Sequence, residues 1–320
     1  MKRRFSCFAL TLLILCFGTV DVFAKELIPV GQVIGLELSA GTVTVAAFDD
    51  AMPVAKKAGL QIGDEILSID DTTIRSAEDV RKALRCSDGS VEMVICRDGQ
   101  NKRIHMQPEI TTSGPKLGIY LRQGITGIGT VTFYDPETDR FGTLGHGVND
   151  GKGRLLTMDQ GYAYPATIVS VQKGSPGTPG QLRGSLKSTH LLGSLTGNTA
   201  RGVFGTAPDA WTGQALPTAE ADDVLPGPAT IRSTIDGGSP RDYSVEILKI
   251  YPANRSDGRN LLIRVTDPAL LEATGGIVQG MSGSPIIQDG KLIGAVTHVL
   301  VNNPTTGYGI FIENMLDAAS

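Results

Sequence analysis

The sequence is poor in the features that mark several large protein classes. Of its 320 residues, 5% are aromatic and four are histidine, and the formal net charge is −4. No long basic run follows the first few residues, so nucleic-acid binding is not expected. The chain has no His-Glu-x-x-His segment and no histidine cluster, which argues against a metalloprotease and predicts no metal or other cofactor. The glycine-rich stretch 174–180 lacks the Gly-Lys-Ser/Thr ending of a phosphate-binding loop.

Glycine, in contrast, is abundant, with 40 residues. From residue 117 to 320 the chain reads as many short apolar runs broken by glycine, with no helices alternating between them. That pattern predicts a mainly β protein built as a barrel or a sandwich. The length allows about two domains with cores of their own.

The N-terminus predicts export. Lys2, Arg3 and Arg4 precede an apolar run, and Val22-Phe23-Ala24 is a passable small-residue cleavage site. Residues 1–24 therefore read as a signal peptide, with an uncleaved membrane anchor as the alternative. In both cases the rest of the chain lies outside the cytoplasm.

Two cysteines remain after this segment, Cys86 and Cys96. An exported protein can form a disulfide between them. However, Cys86 lies near a predicted helix end and Cys96 lies within a predicted strand. These positions favour two small buried hydrophobic residues over a disulfide.

The most informative stretch is Gly-Met-Ser-Gly-Ser-Pro at 280–285. A strand is predicted after it, then a turn at Asp289-Gly290, then a returning strand from Lys291 to Val301. A serine held in such a glycine-flanked turn can expose its hydroxyl as a nucleophile. Backbone N–H groups beside it can stabilise an oxyanion. An ordinary loop of Gly, Ser and Pro is the alternative interpretation.

A serine nucleophile needs a base, and histidine is the usual one. His146 lies between two glycines after a predicted strand, where its ring has room to meet another side chain. His298 lies on the strand that follows the serine hairpin, and a structural role suits it. We therefore favour His146 over His298 as the base.

The third member of such a unit is an acid that orients the histidine. Asp135, Asp150 and Asp267 are the candidates. Asp267-Pro268 also opens a predicted short helix that ends at Gly275, so the local sequence predicts a helix N-cap. Both roles fit Asp267 only if one carboxylate oxygen caps the helix and the other meets His146.

Residues 27–110 resemble a PDZ domain. The resemblance rests on Ala58-Gly59-Leu60, on Gly63-Asp64 with Ile66, and on a helix predicted to begin after Ser76. It implies that the backbone of Ile34, Gly35 and Leu36 forms the carboxylate-binding loop for a peptide C-terminus or internal strand. Alternatively, this groove is a packing surface. Residues 111–116 are the expected linker to a domain at 117–320.

The second domain resembles the peptidase of the stage IV sporulation protein B family. The matching segments are Phe133-Tyr134-Asp135-Pro136, Leu144-Gly145-His146-Gly147, Thr266-Asp267-Pro268, Gly275 to Pro285, and Gly307 to Glu313. The resemblance implies a chymotrypsin-like double β-barrel following the PDZ domain. It also implies Ser282 as nucleophile, His146 as base and Asp267 as orienting acid, with the N–H groups of Gly280 and Ser282 as the oxyanion hole.

The same resemblance implies a serine endopeptidase of endospore formers, secreted or membrane-associated between the two membranes around the spore. It would process itself and cleave a membrane-bound inhibitor of an intramembrane protease, and thereby activate late sigma-factor processing. Its PDZ domain would hold a C-terminus or internal strand of its own or of a partner. The alternative from another class is an exported PDZ adaptor with a catalytically silent β-domain.

Overall fold

The computed structural model describes residues 25–151, 153–187 and 190–320. The predicted export segment, 1–24, lies outside the described residues. Among those that are described, none of the helices has the length and apolar character that a membrane crossing requires.

Strands dominate the described chain. The first ten are β1 (Glu26–Pro29), β2 (Val33–Ser39), β3 (Val43–Phe48), β4 (Glu65–Ile69), β5 (Thr72–Thr73), β6 (Val91–Arg97), β7 (Gln100–Met106), β8 (Glu109–Thr111), β9 (Gly114–Lys116) and β10 (Ile119–Arg122). The next seven are β11 (Ile125–Asp135), β12 (Arg140–Thr143), β13 (Gln160–Gln172), β14 (Gln181–Leu186), β15 (Gly193–Thr199), β16 (Gly202–Thr206) and β17 (Leu216–Pro217). The last six are β18 (Gly227–Ser233), β19 (Arg241–Ile250), β20 (Leu261–Val265), β21 (Pro285–Gln288), β22 (Lys291–Leu300) and β23 (Asn303–Phe311). The α-helices are α1 (Val54–Lys57), α2 (Ala77–Cys86), α3 (Pro268–Thr274) and α4 (Ile312–Ala319).

The main architecture is two β-barrels, as the sequence analysis predicted. In the first barrel the strand order is β2, β11, β12, β16, β15 and β13, and β13 pairs back onto β2. Its interior is apolar and includes Ile34, Leu36, Val131 and Phe141. The second barrel is closed in the order β18, β19, β20, β23, β22 and β21. Alternating inward residues of these strands form its core.

Local turn chemistry explains the hairpin of the second barrel. Asp289 and Gly290 have φ of 50° and 76°, the left-handed values that a tight two-residue turn requires. The predicted hairpin of β21 and β22 is therefore confirmed, with β22 ending at Leu300.

The PDZ sheet is a separate body with the strand order β10, β3, β4, β6 and β7, and its own core. Ser76 caps α2 as predicted, because its hydroxyl accepts a hydrogen bond from the N–H of Asp79 at 3.1 Å. Asp64, buried, forms an ion pair with Arg97 at 2.6 Å.

The boundaries differ from the predicted 27–110, 111–116 and 117–320. Strand β2 belongs to the first barrel, and β1 extends the same sheet by pairing with β11, so the PDZ sheet begins at β3 and ends with β10. The PDZ domain is thus inserted between two neighbouring barrel strands. The predicted linker, 111–116, forms most of the β8–β9 hairpin instead.

The two cysteines also differ from expectation in one respect. Both Cys86 and Cys96 are free thiols. The interpretation of both as buried residues is wrong, because Cys86 is exposed at the end of α2 and Cys96 is half-buried.

Candidate active site

The segment that we call the nucleophile loop, residues 280–284, leads directly into β21 of the second barrel. Gly280 and Gly283 have φ of 99° and 95°, a region that L side chains rarely adopt. A Cβ on Gly283 would lie 1.9 Å from the carbonyl oxygen of Thr130. Glycine is therefore required at position 283, and it lets the loop pack directly on β11.

Strand β11 of the first barrel fixes this loop. The N–H of Thr130 donates to the carbonyl oxygen of Ser282 at 3.0 Å, and its hydroxyl donates to that of Gly280 at 2.8 Å. The hydroxyl of Thr132 donates to the carbonyl oxygen of Gly283 at 2.8 Å. Both threonines are fully buried. Sequence reasoning missed them, although two polar residues spaced by two in an apolar strand were a usable signal.

Two backbone donors of the loop remain available. The N–H of Met281 donates to Val278 and that of Gly283 donates to Val296. Within the described ranges, the N–H groups of Gly280 and Ser282 donate no hydrogen bond. These are the two N–H groups that the sequence analysis predicts as the oxyanion hole, and both are free to bind an oxyanion.

His146 follows β12 in a sharp turn of the first barrel. Leu144 and Gly145 both have left-handed φ, 69° and 68°. A Cβ on Gly145 would lie 2.9 Å from the side-chain methyl of Thr297 on β22. The turn therefore packs the loop that carries His146, called here the histidine loop, against β22.

Hydrogen bonds and burial define the state of His146. Its Nδ1 lies 3.0 Å from the carbonyl oxygen of Gly147, so the tautomer that carries the proton on Nδ1 can donate there and leave Nε2 as a base. Burial lowers the pKa of His146 below its ordinary value, and the bond to Gly147 acts in the opposite direction. The ring is therefore neutral at neutral pH, as a general base must be.

Ser282 is half-buried and its hydroxyl is engaged elsewhere. Its Oγ donates to the carbonyl oxygen of Thr297 at 2.7 Å. No hydrogen bond joins Ser282 to His146 in the part of the chain that the structure describes. The Ser282 hydroxyl would have to turn away from Thr297 before it could give its proton to His146.

Asp267 lies where local chemistry placed it, at the N-cap of α3. Its Oδ1 accepts from the N–H of Leu270 at 3.0 Å, and its Oδ2 accepts from that of Ser244 at 3.3 Å. Both oxygens therefore serve backbone donors, and the expected bond to His146 is not formed. The structure does not bring Asp267 into the triad that the resemblance implied.

The other acid candidates have partners of their own. Asp135 is buried and pairs with Lys25 at 2.7 Å. Asp150 pairs with Arg154 at 2.9 Å. The ring that packs against His146 is instead that of His298, with centroids 5.1 Å apart.

The predicted PDZ carboxylate loop is wrong. Ile34, Gly35 and Leu36 lie in β2, which pairs with β11 on one side and with β13 on the other. Both hydrogen-bonding edges of β2 are therefore occupied, and Ile34 and Leu36 are buried in the barrel. No peptide can add to this strand.

Strand β10 is the better candidate for peptide binding. It forms one edge of the PDZ sheet, pairing only with β3 among the described strands. Leu117-Gly118-Ile119 leads into it, with Gly118 at φ 68° and its carbonyl oxygen held by the N–H of Asp49. This segment has the same apolar-glycine-apolar pattern as 34–36, so the sequence signal was present at both places.

Comparison with known families agrees with this architecture. The family model described as SpoIVB peptidase S55 matches residues 114–316. The chain belongs to this family. This S55 chain is therefore a serine peptidase, and a PDZ domain model matches its residues 50–97. A search of curated proteins finds no match.

Solved structures of two other proteases are similar to this S55 peptidase at a distance. The active form of the Rv3671c protease from M. tuberculosis shares 17% identity over 61% of this chain and 73% of its own, with a TM-score of 0.34. The HtrA-type protease AlgW with a tripeptide shares 15% identity over 61% of this chain and 55% of its own, with a TM-score of 0.36. Similarity at this level gives no information about individual residues.

Proposed function

We propose that this chain is an exported serine endopeptidase of sporulation signalling, with Ser282 as nucleophile and His146 as base. The observation that carries the assignment of the site is the nucleophile loop itself. It holds a half-buried serine hydroxyl beside two unengaged N–H groups, and the histidine loop of the other barrel packs against the same strand, β22. Family membership supports the wider role.

The chemistry follows from these groups. Ser282 Oγ attacks the scissile carbonyl carbon while its proton passes to Nε2 of His146. The oxyanion accepts hydrogen bonds from the N–H groups of Gly280 and Ser282. His146 then returns the proton to the leaving amine, which departs as the acyl-enzyme forms. Water, deprotonated by the same ring, releases the acid product and restores the serine.

The substrate we propose is an extracytoplasmic regulatory protein, a membrane-bound inhibitor of an intramembrane protease, together with the chain itself by self-processing. Cleavage of that inhibitor would activate late sigma-factor processing. These proposals, with the location between the two membranes around the spore, rest on the family resemblance.

The PDZ domain is proposed to regulate cleavage through strand continuity. Its peptide-binding edge, β10, is followed after two residues by β11, whose Thr130 and Thr132 hold the nucleophile loop. The proposed ligand is a peptide C-terminus or an internal strand, from this chain or from a partner. When it pairs with β10, it shifts β11 and so favours the state in which the Ser282 hydroxyl no longer bonds to the carbonyl oxygen of Thr297.

A fluorophosphonate probe tests the nucleophile. Wild type is expected to be labelled and to cleave itself, whereas Ser282→Ala should do neither. Ser284→Ala is the matched control, because Ser284 is buried and its hydroxyl bonds to that of Ser233. Labelling of Ser282→Ala at the wild-type rate would refute the assignment. If wild type is not labelled, the silent PDZ adaptor is favoured, unless excision of the PDZ domain restores labelling.

Excision of the PDZ domain tests the regulation. Leu38 and Ile125 are cross-strand partners in β2 and β11. Residues 40–123 can therefore be replaced by Asn-Gly, which closes two antiparallel strands as a tight hairpin. We expect the shortened protein to fold and to be labelled on Ser282. Its labelling rate should no longer change when peptides that bind the PDZ domain are added. A response that persists would show that the PDZ edge is not the sensor.

A further inference from the structure

One arginine near the proposed catalytic residues has a side chain without a hydrogen-bonding partner. The Nε atom of Arg259 is buried and forms no hydrogen bond within the described residues. Its guanidinium lies over the ring of Tyr308, 5.2 Å from the ring centroid. None of the ion pairs among the described residues includes Arg259. Because a buried donor without an acceptor is costly, this side chain suits a ligand that supplies one.

The neighbouring carboxylate, that of Asp257, is engaged elsewhere. Its Oδ1 accepts from Nε of Arg255 at 2.8 Å and from the backbone N–H of Arg259 at 3.2 Å, and its Oδ2 accepts from Nη2 of Arg255. In residues 249–260, which we call the basic segment, Asp257 is the only acidic residue, whereas Lys249 and the two arginines are cations. The basic segment is therefore locally positive in a chain whose formal net charge is −4.

A row of side chains connects the basic segment to the proposed base. Tyr308 on β23 is the cross-strand partner of His298 on β22, so the two side chains lie on the same face of the sheet. The His298 ring packs against that of His146, with centroids 5.1 Å apart. Burial, then His146, then Arg259 lower the pKa of His298 to about 4, and Asp257 opposes them. The charge of Arg259 therefore acts at the ring that contacts His146.

One edge of β22 beside the nucleophile is open to a peptide. The carbonyl oxygen of Thr297 lies 2.7 Å from Ser282 Oγ. From residue 297 to 300, β22 pairs only with β23 among the described strands. An extended substrate can therefore pair with the other edge, with the residue that Ser282 attacks beside Thr297. Since side chains alternate along a strand, the second and fourth substrate residues, counted from the attacked residue towards the N-terminus, share the face of His298.

We propose that Arg259 is a specificity-determining residue of the peptidase and binds the carboxylate of an aspartate or glutamate at the second or fourth substrate residue. This inference rests on the proposed function and defines one chemical feature of its substrate. The guanidinium donates charge-assisted hydrogen bonds to that carboxylate, in a geometry that arginine and carboxylate match well. The other cations of the basic segment attract the same acidic peptide over a longer range.

Cleavage of a random-sequence decapeptide library by the full chain tests the preference, with the cut sites read by mass spectrometry. We expect wild type to cut peptides with Asp or Glu at the second or fourth residue about ten- to hundredfold faster than peptides with Asn or Gln there. The third residue faces the opposite side and should show no such preference. Equal cleavage of acidic and amide peptides, or an equal acidic preference at the third residue, would overturn the inference.

Variants of the arginine separate recognition from a structural role. Arg259→Gln should lose the preference for acidic residues. Arg259→Glu should reverse it, so that peptides with Lys or Arg at the same position are cut fastest, which loss of packing alone cannot produce. The matched control is Arg264→Gln, because Arg264 on β20 already pairs with Glu246. It should keep the wild-type preference. An acidic preference that persists in Arg259→Gln would overturn the inference.

A binding measurement separates this inference from the proposed function. Fluorescein-labelled hexaglutamate should bind full-length Ser282→Ala at least tenfold more tightly than hexaglutamine does. The double variant with Arg259→Gln should lose most of this difference. If wild type cuts no library peptide, the proposed function fails, and the two affinities still decide whether Arg259 binds acidic peptides. Equal affinity of the two peptides for Ser282→Ala would overturn the inference.

Discussion

Two segments of this chain carry the same pattern of an apolar residue, glycine and an apolar residue, and they do opposite things. Ile34-Gly35-Leu36 lies in the middle of a barrel sheet with a strand on each side. Leu117-Gly118-Ile119 opens the edge strand of the PDZ sheet. The difference teaches that a short motif predicts the local backbone, whereas its neighbours decide whether the backbone is available to a ligand.

The largest expected effect is on the barrel segment. Ile34→Ala removes a fully buried side chain, and we expect a loss of about 3–4 kcal/mol in the free energy of unfolding of the first barrel. Labelling of Ser282 should fall with it, because β2 supports β11. Measuring both thermal unfolding and peptide binding of this variant and of wild type checks this prediction. A variant that lost peptide binding but kept barrel stability would restore 34–36 as the PDZ loop.

The second prediction, Gly118→Ala, should affect the PDZ domain rather than the barrel. Gly118 has φ 68°, and a Cβ there would lie 1.8 Å from the backbone carbonyl oxygen of Met52. The segment must shift, at a cost of about 2–3 kcal/mol. Peptide affinity at β10 should drop at least tenfold, measured by titration with C-terminal peptides. Basal labelling of Ser282 should change little. Unchanged peptide affinity would exclude this segment as the carboxylate loop.

The smallest effect is expected for the matched change Gly35→Ala. Here φ is ordinary, and the nearest atoms to the new Cβ would be Cδ2 and Cγ of Leu186, at 2.2 and 2.5 Å. Leu186 is only half-buried, so its side chain has room to shift. Overpacking of this kind costs about 1 kcal/mol. A small shift in the unfolding midpoint with normal peptide binding is the predicted result. If Gly35→Ala weakened peptide binding more than Gly118→Ala, the comparison would be reversed.

Features decided by adjacent residues were predictable from the sequence. The Asp289-Gly290 turn, the Ser76 cap and the helix that Asp267 begins all form as their local chemistry requires. In the last case the structure shows the N-cap that the local sequence predicts, whereas the triad role that the family resemblance implies for Asp267 stays a prediction.

Features decided by distant residues were not predictable. Nothing near Ile34 in the sequence indicates that it pairs with Gly129, about a hundred residues later. The clamp of Thr130 on the nucleophile loop joins residues 150 positions apart. The meeting of His146 with His298 likewise depends on how the two barrels pack. Sequence reasoning found both histidines and ranked them as rivals for one role, whereas the structure places them as neighbours.

The inserted PDZ domain also has a consequence for how the barrel folds. Strands β2 and β11 must pair across about 80 intervening residues, and closing so long a flexible loop costs about 2–3 kcal/mol more than closing a tight turn. A PDZ domain that folds first brings its two ends together and removes most of that entropic cost. Assembly of the catalytic barrel should therefore be slow whenever the PDZ domain is unfolded, so a mutation in the PDZ core can reduce the yield of active peptidase while every catalytic group stays intact.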